Sequence, residues 1–288
     1  DGRNYMQNHN LRSRYSYNLT NMSSINMELN YGYSNSESTR DIVNDFYNGA
    51  NIFTGKYTNK TFTKGPSSNF EASAKYDNKW DIMGRHKFTI DATYSNFYTN
   101  TDADYNKTVF DIDGLTALNK IITRSNNDDR FDNFIVQSDY TRPISDNTKL
   151  EVGYKGIFRN EDNKFNLDSL IGSSWINDPS SFNKFSYKEI INSAYASISR
   201  SIMNMSVMVG LRAESANTTL DQEAWDKMLQ ANKKWKYDND YFSLFPSVHI
   251  IYNINEEDKI QASYSRRINR PSVDQLSPVI DYTDPMTL

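Results

Sequence analysis

The side chains that most often carry out catalysis form no familiar catalytic pattern in this sequence. The three histidines, His9, His86 and His249, fall in separate parts of the chain, and cysteine is absent. No zinc-binding spacing, serine-nucleophile motif or glycine-rich phosphate loop is present. We therefore expect a protein that is not an enzyme and that carries no cofactor.

Two pairs of aspartates have the chemistry of calcium ligands. Asp102 and Asp104 are two residues apart, and so are Asp111 and Asp113, which precede Gly114. Carboxylate oxygens suit Ca²⁺, but the full spacing of an EF-hand loop is missing. Asp and Gly are also common turn residues, so the favoured interpretation is ordinary loop sequence, with calcium as the alternative.

The densest group of positive charge consists of Arg266, Arg267 and Arg270. Guanidinium groups bind anionic solutes or lipopolysaccharide phosphates through charge-assisted hydrogen bonds. These arginines are therefore candidate ligand-binding residues. The alternative, which we favour, is a ladder of salt bridges to carboxylates on neighbouring strands.

Three further residues are candidates for ligand contact. Trp225 and Trp235 lie in a predicted loop, where they would stack on a sugar or siderophore or pack the loop against its neighbours. His249 lies on the polar face of a predicted strand. There it either contacts a ligand or, as we favour, lines an aqueous interior without a binding role.

Composition excludes nucleic acid as a partner and bears on the membrane question. The net charge of −4 gives no basic excess for binding nucleic acid. Mean hydropathy is −0.76, and no apolar run reaches the about 18 residues of a membrane helix. A membrane β-barrel exposes apolar residues only at alternate positions, so this average is compatible with one. The 20 tyrosines and 15 phenylalanines suit strands and membrane interfaces.

Apolar and polar residues alternate along much of the chain. Between Leu244 and Arg267 the alternation runs on both sides of a polar turn at Asn255–Lys259. A period of two gives each strand one apolar and one mostly polar face, and a short turn pairs two such strands antiparallel. The same unit recurs and predicts about ten strands of roughly 9 to 13 residues, near the length that crosses a bilayer at a tilt.

The predicted connections alternate between two lengths. Short turns are expected at 20–24, 77–84, 143–148, 199–204 and 255–259. Long loops are expected at 35–68, 99–130, 159–185, 215–240 and from 268 onward. Long loops on one side of a sheet and short turns on the other are typical of outer-membrane barrels.

Three segments inside these loops carry helical signals: Asp41–Tyr47, the apolar residues from Leu115 to Ile122, and Thr219–Trp235. The strand predicted at Tyr187–Ser199 is ambiguous in register. Either the face with Ile191 or the face with Ile190 could be its apolar one.

The polar faces of the predicted strands carry charges of both signs. They are Arg12, Arg14, Glu28, Glu71, Lys75, Lys87, Asp91, Asp139, Glu151, Lys155, Arg212 and Glu214. A dry core would make such charges costly, whereas a hydrated lumen accommodates them. We therefore predict an all-β fold, an antiparallel up-and-down transmembrane β-barrel wide enough to hold water or a plug.

The end of the chain resembles a known family. Tyr264–Ser272 reads YSRRINRPS, followed by QLSP at Gln275–Pro278 and YTDP at Tyr282–Pro285. With GLRAE at Gly210–Glu214 and AYAS at Ala194–Ser197, these motifs resemble the outer-membrane β-barrel family of Bacteroidetes. That family is similar to the barrel domain of TonB-dependent receptors. The serine of QLSP stands where asparagine is usual.

The resemblance implies a 22-stranded barrel in the cell outer membrane, in contact with outer-membrane lipid and lipopolysaccharide. It also implies an N-terminal plug, energy from TonB–ExbB–ExbD, and in some cases a surface lipoprotein lid. No plug-like segment or TonB box is apparent here. Residues 1–288 are therefore interpreted as a partial barrel domain, an internal piece of a longer barrel.

Two functions follow from this resemblance. The leading one is a receptor-like barrel that binds an external solute with its long loops and passes it into the periplasm. The alternative is an outer-membrane barrel with a structural, assembly or adhesion role and no energised transport. A plug and a TonB box in the full-length protein would separate the two.

Overall fold

A computed structural model describes residues 2–226 and 228–270 as one antiparallel sheet. The strands are β1 Gly2–Thr20, β2 Ser23–Tyr47, β3 Phe53–Lys79, β4 Lys87–Phe110, β5 Ala117–Ser145, β6 Thr148–Ile171, β7 Ser174–Asn177, β8 Asn183–Ile202, β9 Met205–Asp226, β10 Ala231–Asn253 and β11 Lys259–Ser265. A 3₁₀ turn at Pro179–Ser181 precedes β8. Within the described ranges, no helix is long and apolar enough to span a membrane.

The strands follow one another in up-and-down order. Each long strand pairs with its sequence neighbour, from β1 through β6 and then β8 to β11, while short β7 pairs only with the outer end of β6. Ten strands therefore form the main path, as the alternation of the sequence predicts. In the described part of the chain, β1 pairs only with β2 and β11 only with β10, so the sheet is open at both edges.

The predicted two faces are both present. Apolar side chains lie side by side across strands, as in the row Met27, Ala74, Ala92 and Val136. The predicted charges share the opposite face, where Arg14 lies opposite Glu28. Many large apolar side chains on the first face are solvent-exposed, as expected for a surface that contacts lipid.

The structure resolves the register of β8. Ile190 and Ile198 lie on the exposed apolar face, at 42% and 46% exposure, whereas Ile191 lies on the polar face and is only 4% exposed. Ile191 is buried because Ile157 and Ala216 lie directly opposite it on the neighbouring strands. Tyr195 lies on the same polar face.

The prediction of long loops is wrong for the ranges 35–68, 99–130, 159–185 and 215–240. The short turns fall where predicted, but on the other side the strands continue, reaching 27 residues in β3 and 29 in β5. β2 and β3 remain paired out to Tyr47 and Phe53, so only a few residues connect them. The apolar–polar alternation fades there, as expected where both faces of a hairpin contact water, while backbone pairing persists.

The three predicted helical segments are also strands. Asp41–Tyr47 belongs to β2, the segment around Leu118 to β5, and Thr219–Trp235 is divided between the end of β9 and the start of β10. Helical spacing of apolar residues is a local signal. Here the hydrogen bonds to neighbouring strands override it.

Candidate functional site

The most buried charge on the polar face is Glu214 of β9, whose side chain is 2% exposed. Arg212 donates to its Oε2 atom at 2.6 Å, and the Ser193 hydroxyl donates to the same oxygen at 3.0 Å. Arg270 donates to the other oxygen and also to the Tyr241 hydroxyl. We call these five residues the inner network.

The local sequence explains how three strands and the segment after β11 build the inner network. Glu214 lies opposite Ser193 on β8 and opposite Ser243 on β10. These small side chains leave room for guanidinium groups beside the carboxylate. Arg212, two residues earlier, lies on the same face of β9 because the strand period is two. Arg270 reaches the carboxylate from the segment that follows β11.

A second buried ion pair lies farther toward the long hairpins. Arg159 of β6 contacts Glu189 of β8 at 3.1 Å, and the Glu189 side chain is 3% exposed. The two residues are direct partners across the strand pair. Between this pair and the inner network lies the apolar row that contains Ile191 and Ala216, both buried.

Toward the short turns the polar face continues with Tyr195. Its hydroxyl donates to Asp139 of β5 at 2.5 Å, reaching across β6. The ring crosses directly over Gly153, where an added Cβ would come within 2.5 Å of a ring carbon. Glycine is therefore required at 153 for this close approach.

At the open edge of the sheet, a similar group of charges is more exposed. Arg12 and Arg14 of β1 both contact Glu28 of β2, at 2.5 and 2.8 Å. The Glu28 side chain is 25% exposed. We call these three residues the edge triad.

Polar atoms without partners cluster in the outer half of the polar face. Within the described residues, buried side-chain atoms of this face that have no hydrogen-bond partner are Asn59 Oδ1, Asn133 Oδ1, Arg159 Nε, Asn163 Oδ1 and Asn183 Nδ2. Buried polar groups are normally satisfied. These atoms therefore have hydrogen-bonding capacity that no group of the described residues uses.

The predicted arginine cluster is divided by the structure. Arg270 joins the inner network, which is the salt-bridge arrangement given above as the favoured alternative. Arg266 and Arg267 are exposed, and their ligand-binding role stays a prediction. The rest of the motif, from Pro271 to Pro285, lies outside the described residues.

The other predicted ligand contacts do not converge. Trp235 shares the polar face with Gln222, its partner on β9, whereas Trp225 is on the opposite face of β9. His249 is half-buried on the polar face, far along β10 from Trp235, with Met208 and Ser263 beside it. A shared stacking site for both tryptophans is therefore not formed within this sheet.

The calcium candidates are likewise separate. Asp102 and Asp104 lie within β4, whereas Asp111 and Asp113 lie in the turn that follows. The described residues contain no cluster of three or more metal-binding side chains. The Asp113 carboxylate accepts hydrogen bonds from the Thr116 hydroxyl and from two backbone N–H groups, and these bonds lower its pKa. Calcium binding at these residues stays the less favoured alternative.

Sequence reasoning missed four members of the buried ion-pair groups. Arg159 fell at the start of a predicted loop, and Tyr241 lay at the boundary of another. Glu189 fell in the strand of uncertain register, and Ser193 carries no distinctive signal. Glu214 and Arg212 were identified as polar-face charges. The alternation within GLRAE was the one signal that pointed to this part of the network.

Sequence comparison now decides the family. Residues 81–288 match the sequence profile of the outer membrane protein beta-barrel family. The chain belongs to this family. It is therefore part of a barrel in the cell outer membrane, where the apolar face contacts lipid and the polar face lines the lumen. A search of curated proteins found no match.

Solved structures give weaker, fold-level likenesses. This barrel chain is similar to the ferric yersiniabactin uptake receptor FyuA from Yersinia pestis, with 10% identity, a TM-score of 0.36, and coverage of 89% of this chain and 45% of the receptor. The ferric citrate transporter FecA shows 13% identity and a TM-score of 0.40, with coverage of 88% of this chain and 40% of the transporter. BauA, the ferric preacinetobactin receptor from Acinetobacter baumannii, shows 9% identity and a TM-score of 0.39, with coverage of 91% of this chain and 46% of the receptor. The chain thus spans less than half the length of these receptors.

Proposed function

We propose that this chain is part of a receptor-like barrel that binds an external solute and passes it into the periplasm. The long hairpins form the external entrance, and the polar face forms the wall of the path. The proposed process breaks no covalent bond and needs no cofactor. In this proposal TonB–ExbB–ExbD supplies the energy through a region outside this chain, and a surface lipoprotein lid is a further proposed partner.

The observation that carries the proposal is the series of polar and charged groups along the polar face, which only the apolar row through Ile191 interrupts in the described part of β8 and β9. The series runs from the amide groups of Asn163 and Asn183, each of which has one atom without a partner, past the ion pair of Glu189 and the inner network, to Tyr195 and Asp139. Hydrogen-bonding groups of both kinds and charges of both signs thus lie on both sides of the apolar row. Such a wall favours stepwise passage of a polar solute over tight retention of an ion of one sign.

The first test reads the coding sequence on both sides of residues 1–288 and assays TonB binding. If the proposal holds, a plug domain and a TonB box precede the chain. The purified full-length protein then binds the periplasmic domain of TonB, and a peptide with the TonB-box sequence competes. A full-length protein without plug, TonB box or TonB binding would contradict energised import.

A growth assay separates import from the structural or adhesive alternative. We expect a strain that lacks the full-length protein to grow poorly on some scarce nutrients in a panel of iron, vitamin and glycan sources. Loss of TonB should reproduce those defects without adding to them. If the deletion instead weakens resistance to detergent or attachment to surfaces, and changes growth on no nutrient, the alternative replaces the proposal.

A further inference from the structure

A row of aromatic side chains crosses the polar face near the long hairpins. Phe97 of β4 lies opposite Phe131 of β5, and farther along the same row are Tyr187 of β8 and Tyr237 of β10. Tyr187 is buried, at 6% exposure, whereas Phe97 is 45% exposed and Phe131 is half-buried. Phe97 and Phe131 thus present two accessible rings on neighbouring strands, and we call them the aromatic pair.

The aromatic pair lies at the external mouth of the lumen. On the outward face of β5, Phe134 is followed toward the long hairpins by Asp132 and Arg130, so the lipid-facing surface ends near Phe134. Phe131 is three residues beyond Phe134, roughly 10 Å farther out, and its side chain lies on the other face of the strand. A solute that enters from outside therefore meets these rings before it reaches the inner network.

Hydrogen-bonding groups surround Phe131 on the same face. Asn133 and Asp129 lie two residues to either side of it on β5, and Arg159 and Asn163 lie opposite them on β6. Buried Asn133 Oδ1, Arg159 Nε and Asn163 Oδ1 have no hydrogen-bond partner among the described residues. Two acceptors and one donor beside the ring thus remain unused. A hydroxyl group both donates and accepts, so it can pair with either kind.

Small side-chain rotations would bring these atoms to a bound solute. The χ2 torsion of asparagine has a broad minimum, so the amides of Asn133 and Asn163 can turn at little cost. The Arg159 side chain is already 33% exposed. Burial of the three atoms in the free protein is therefore compatible with a role in binding.

The charges around the aromatic pair disfavour an anionic solute. In the row of Phe131 and the two rows beside it, the charged residues of β5, β6 and β8 are Asp129, Glu161, Arg159 and Glu189. Three carboxylates thus accompany one guanidinium, and an excess of one sign of charge repels solutes of that sign. Arg159 also lies 5.9 Å from the centre of the Phe131 ring, where a cationic solute would otherwise bind. A neutral solute fits these constraints best.

We propose that the aromatic pair is an entry site for a neutral, hydroxyl-rich ring compound, the class to which oligosaccharides belong. The C–H groups on one face of the solute ring pack against Phe97 and Phe131, because the faces of aromatic rings carry partial negative charge. The hydroxyl groups bond to Asn133, Asn163 and Arg159. This inference rests on the proposed function, since it names the class of solute that the barrel receives.

The test uses the purified full-length protein in detergent. An array of neutral oligosaccharides would identify the member that binds most tightly, and titration calorimetry would measure its affinity, with ferric citrate as the anionic comparison. We expect Phe131→Leu, which keeps an apolar side chain but removes the flat ring, to weaken saccharide binding about tenfold. Phe131→Tyr should restore the affinity, and ferric citrate should not compete.

The matched control is Phe134→Leu, the same substitution three residues away on the lipid-facing side of β5, which should bind saccharide like the wild type. Equal weakening in both variants, or unchanged binding in Phe131→Leu, would overturn the proposal. So would an array in which no neutral oligosaccharide binds. Ferric citrate binding that Phe131→Leu abolishes would assign the aromatic pair to an anionic solute instead. Loss of thermal stability in Phe131→Leu without loss of binding would show that the rings only pack against another part of the protein.

Binding by the purified protein requires neither TonB nor transport, so this test is separate from the import test. Saccharide binding by a protein that does not bind TonB would support the site and contradict energised import. TonB binding without saccharide binding would contradict the site alone.

Discussion

The inner network and the edge triad have similar chemistry in different surroundings. In each, two arginines contact one glutamate on the polar face: Arg212 and Arg270 with Glu214, and Arg12 and Arg14 with Glu28. The glutamate side chain is 2% exposed in the first and 25% exposed in the second.

The comparison indicates that the burial of the glutamate, and not the number of ion pairs, decides how much such a group contributes to the stability of the fold. A carboxylate shielded from water cannot regain hydration when its partners are lost. An exposed one can, and its interactions are also screened by salt. We therefore expect the inner network to hold β8, β9 and the segment after β11 together, and the edge triad to have little effect on stability.

The largest expected effect follows from removing the buried glutamate. Glu214→Ala leaves Arg212 and Arg270 without their counterion and should lower the free energy of unfolding by about 3–5 kcal/mol. Glu28→Ala should leave it unchanged within error. Urea unfolding of the full-length protein in lipid vesicles measures both. Similar losses of unfolding free energy in the two variants would contradict the expected difference between the inner network and the edge triad.

A somewhat smaller effect is expected from a charge on the opposite face of the same strand. Leu211, beside Arg212, lies on the apolar face, and Leu211→Arg should cost about 2–4 kcal/mol if the side chain is near the middle of the membrane. Met208→Arg, on the polar face, is the control and should be tolerated. The same unfolding assay applies, and a greater loss for Met208→Arg would reverse the assignment of the faces.

Removing one arginine should have an intermediate effect. Arg270→Ala leaves Glu214 with Arg212 and Ser193, so we expect a loss of about 1.5–3 kcal/mol, the contribution of hydrogen bonds to a charged group. Arg266→Ala, in the same motif but exposed, is the matched control and should change little. If the two variants are equally stable, Arg270 does not tie its segment to the sheet.

The smallest effect concerns a hairpin tip outside the membrane. Hydrogen bonds from the Thr116 hydroxyl and backbone lower the pKa of Asp113 below its ordinary value of 3.8. A lowered pKa means that the turn is stabilised above that value and loses this stabilisation as the pH falls through the folded-state pKa.

Hydrogen exchange of the Leu115 and Thr116 amides, measured as a function of pH, would detect this change. After correction for intrinsic rates, we expect their protection to fall in strongly acidic buffer. Asp113→Asn should abolish the pH dependence. Protection that stays constant in the wild-type turn would show that the ionised carboxylate does not stabilise it.

The sequence predicted the fold best where one face contacts lipid and the other the lumen. Along β9 the apolar residues Val207, Val209 and Leu211 alternate with polar-face residues, and the predicted strand is present. In β8 the apolar row through Ile191 crosses the polar face, so apolar residues occur on both faces and the register was ambiguous. Beyond the membrane both faces contact water, so the alternation is lost and the sequence predicts loops where the structure has strands.

The candidate site was less predictable because it depends on contacts between distant segments. Arg270 and Glu214 were both identified as charged positions, but 56 residues separate them. No local pattern pairs them. The path of the chain after β11 decides which residues of the arginine cluster turn inward. The alternation of apolar and polar residues ends there, so it does not predict that path.

The most direct test of the account asks whether the polar face lines the lumen. The chain contains no cysteine, so a single cysteine introduced here is the only thiol within residues 1–288 that can carry a spin label. Labels at positions 197 and 195 on the polar face of β8, and at 198 and 196 on its apolar face, would be examined in the full-length protein in bilayers. We predict that positions 195 and 197 are accessible to a water-soluble relaxation agent and that 196 and 198 are accessible to oxygen dissolved in lipid. Accessibility that does not alternate, or that alternates in the opposite sense, would contradict the account.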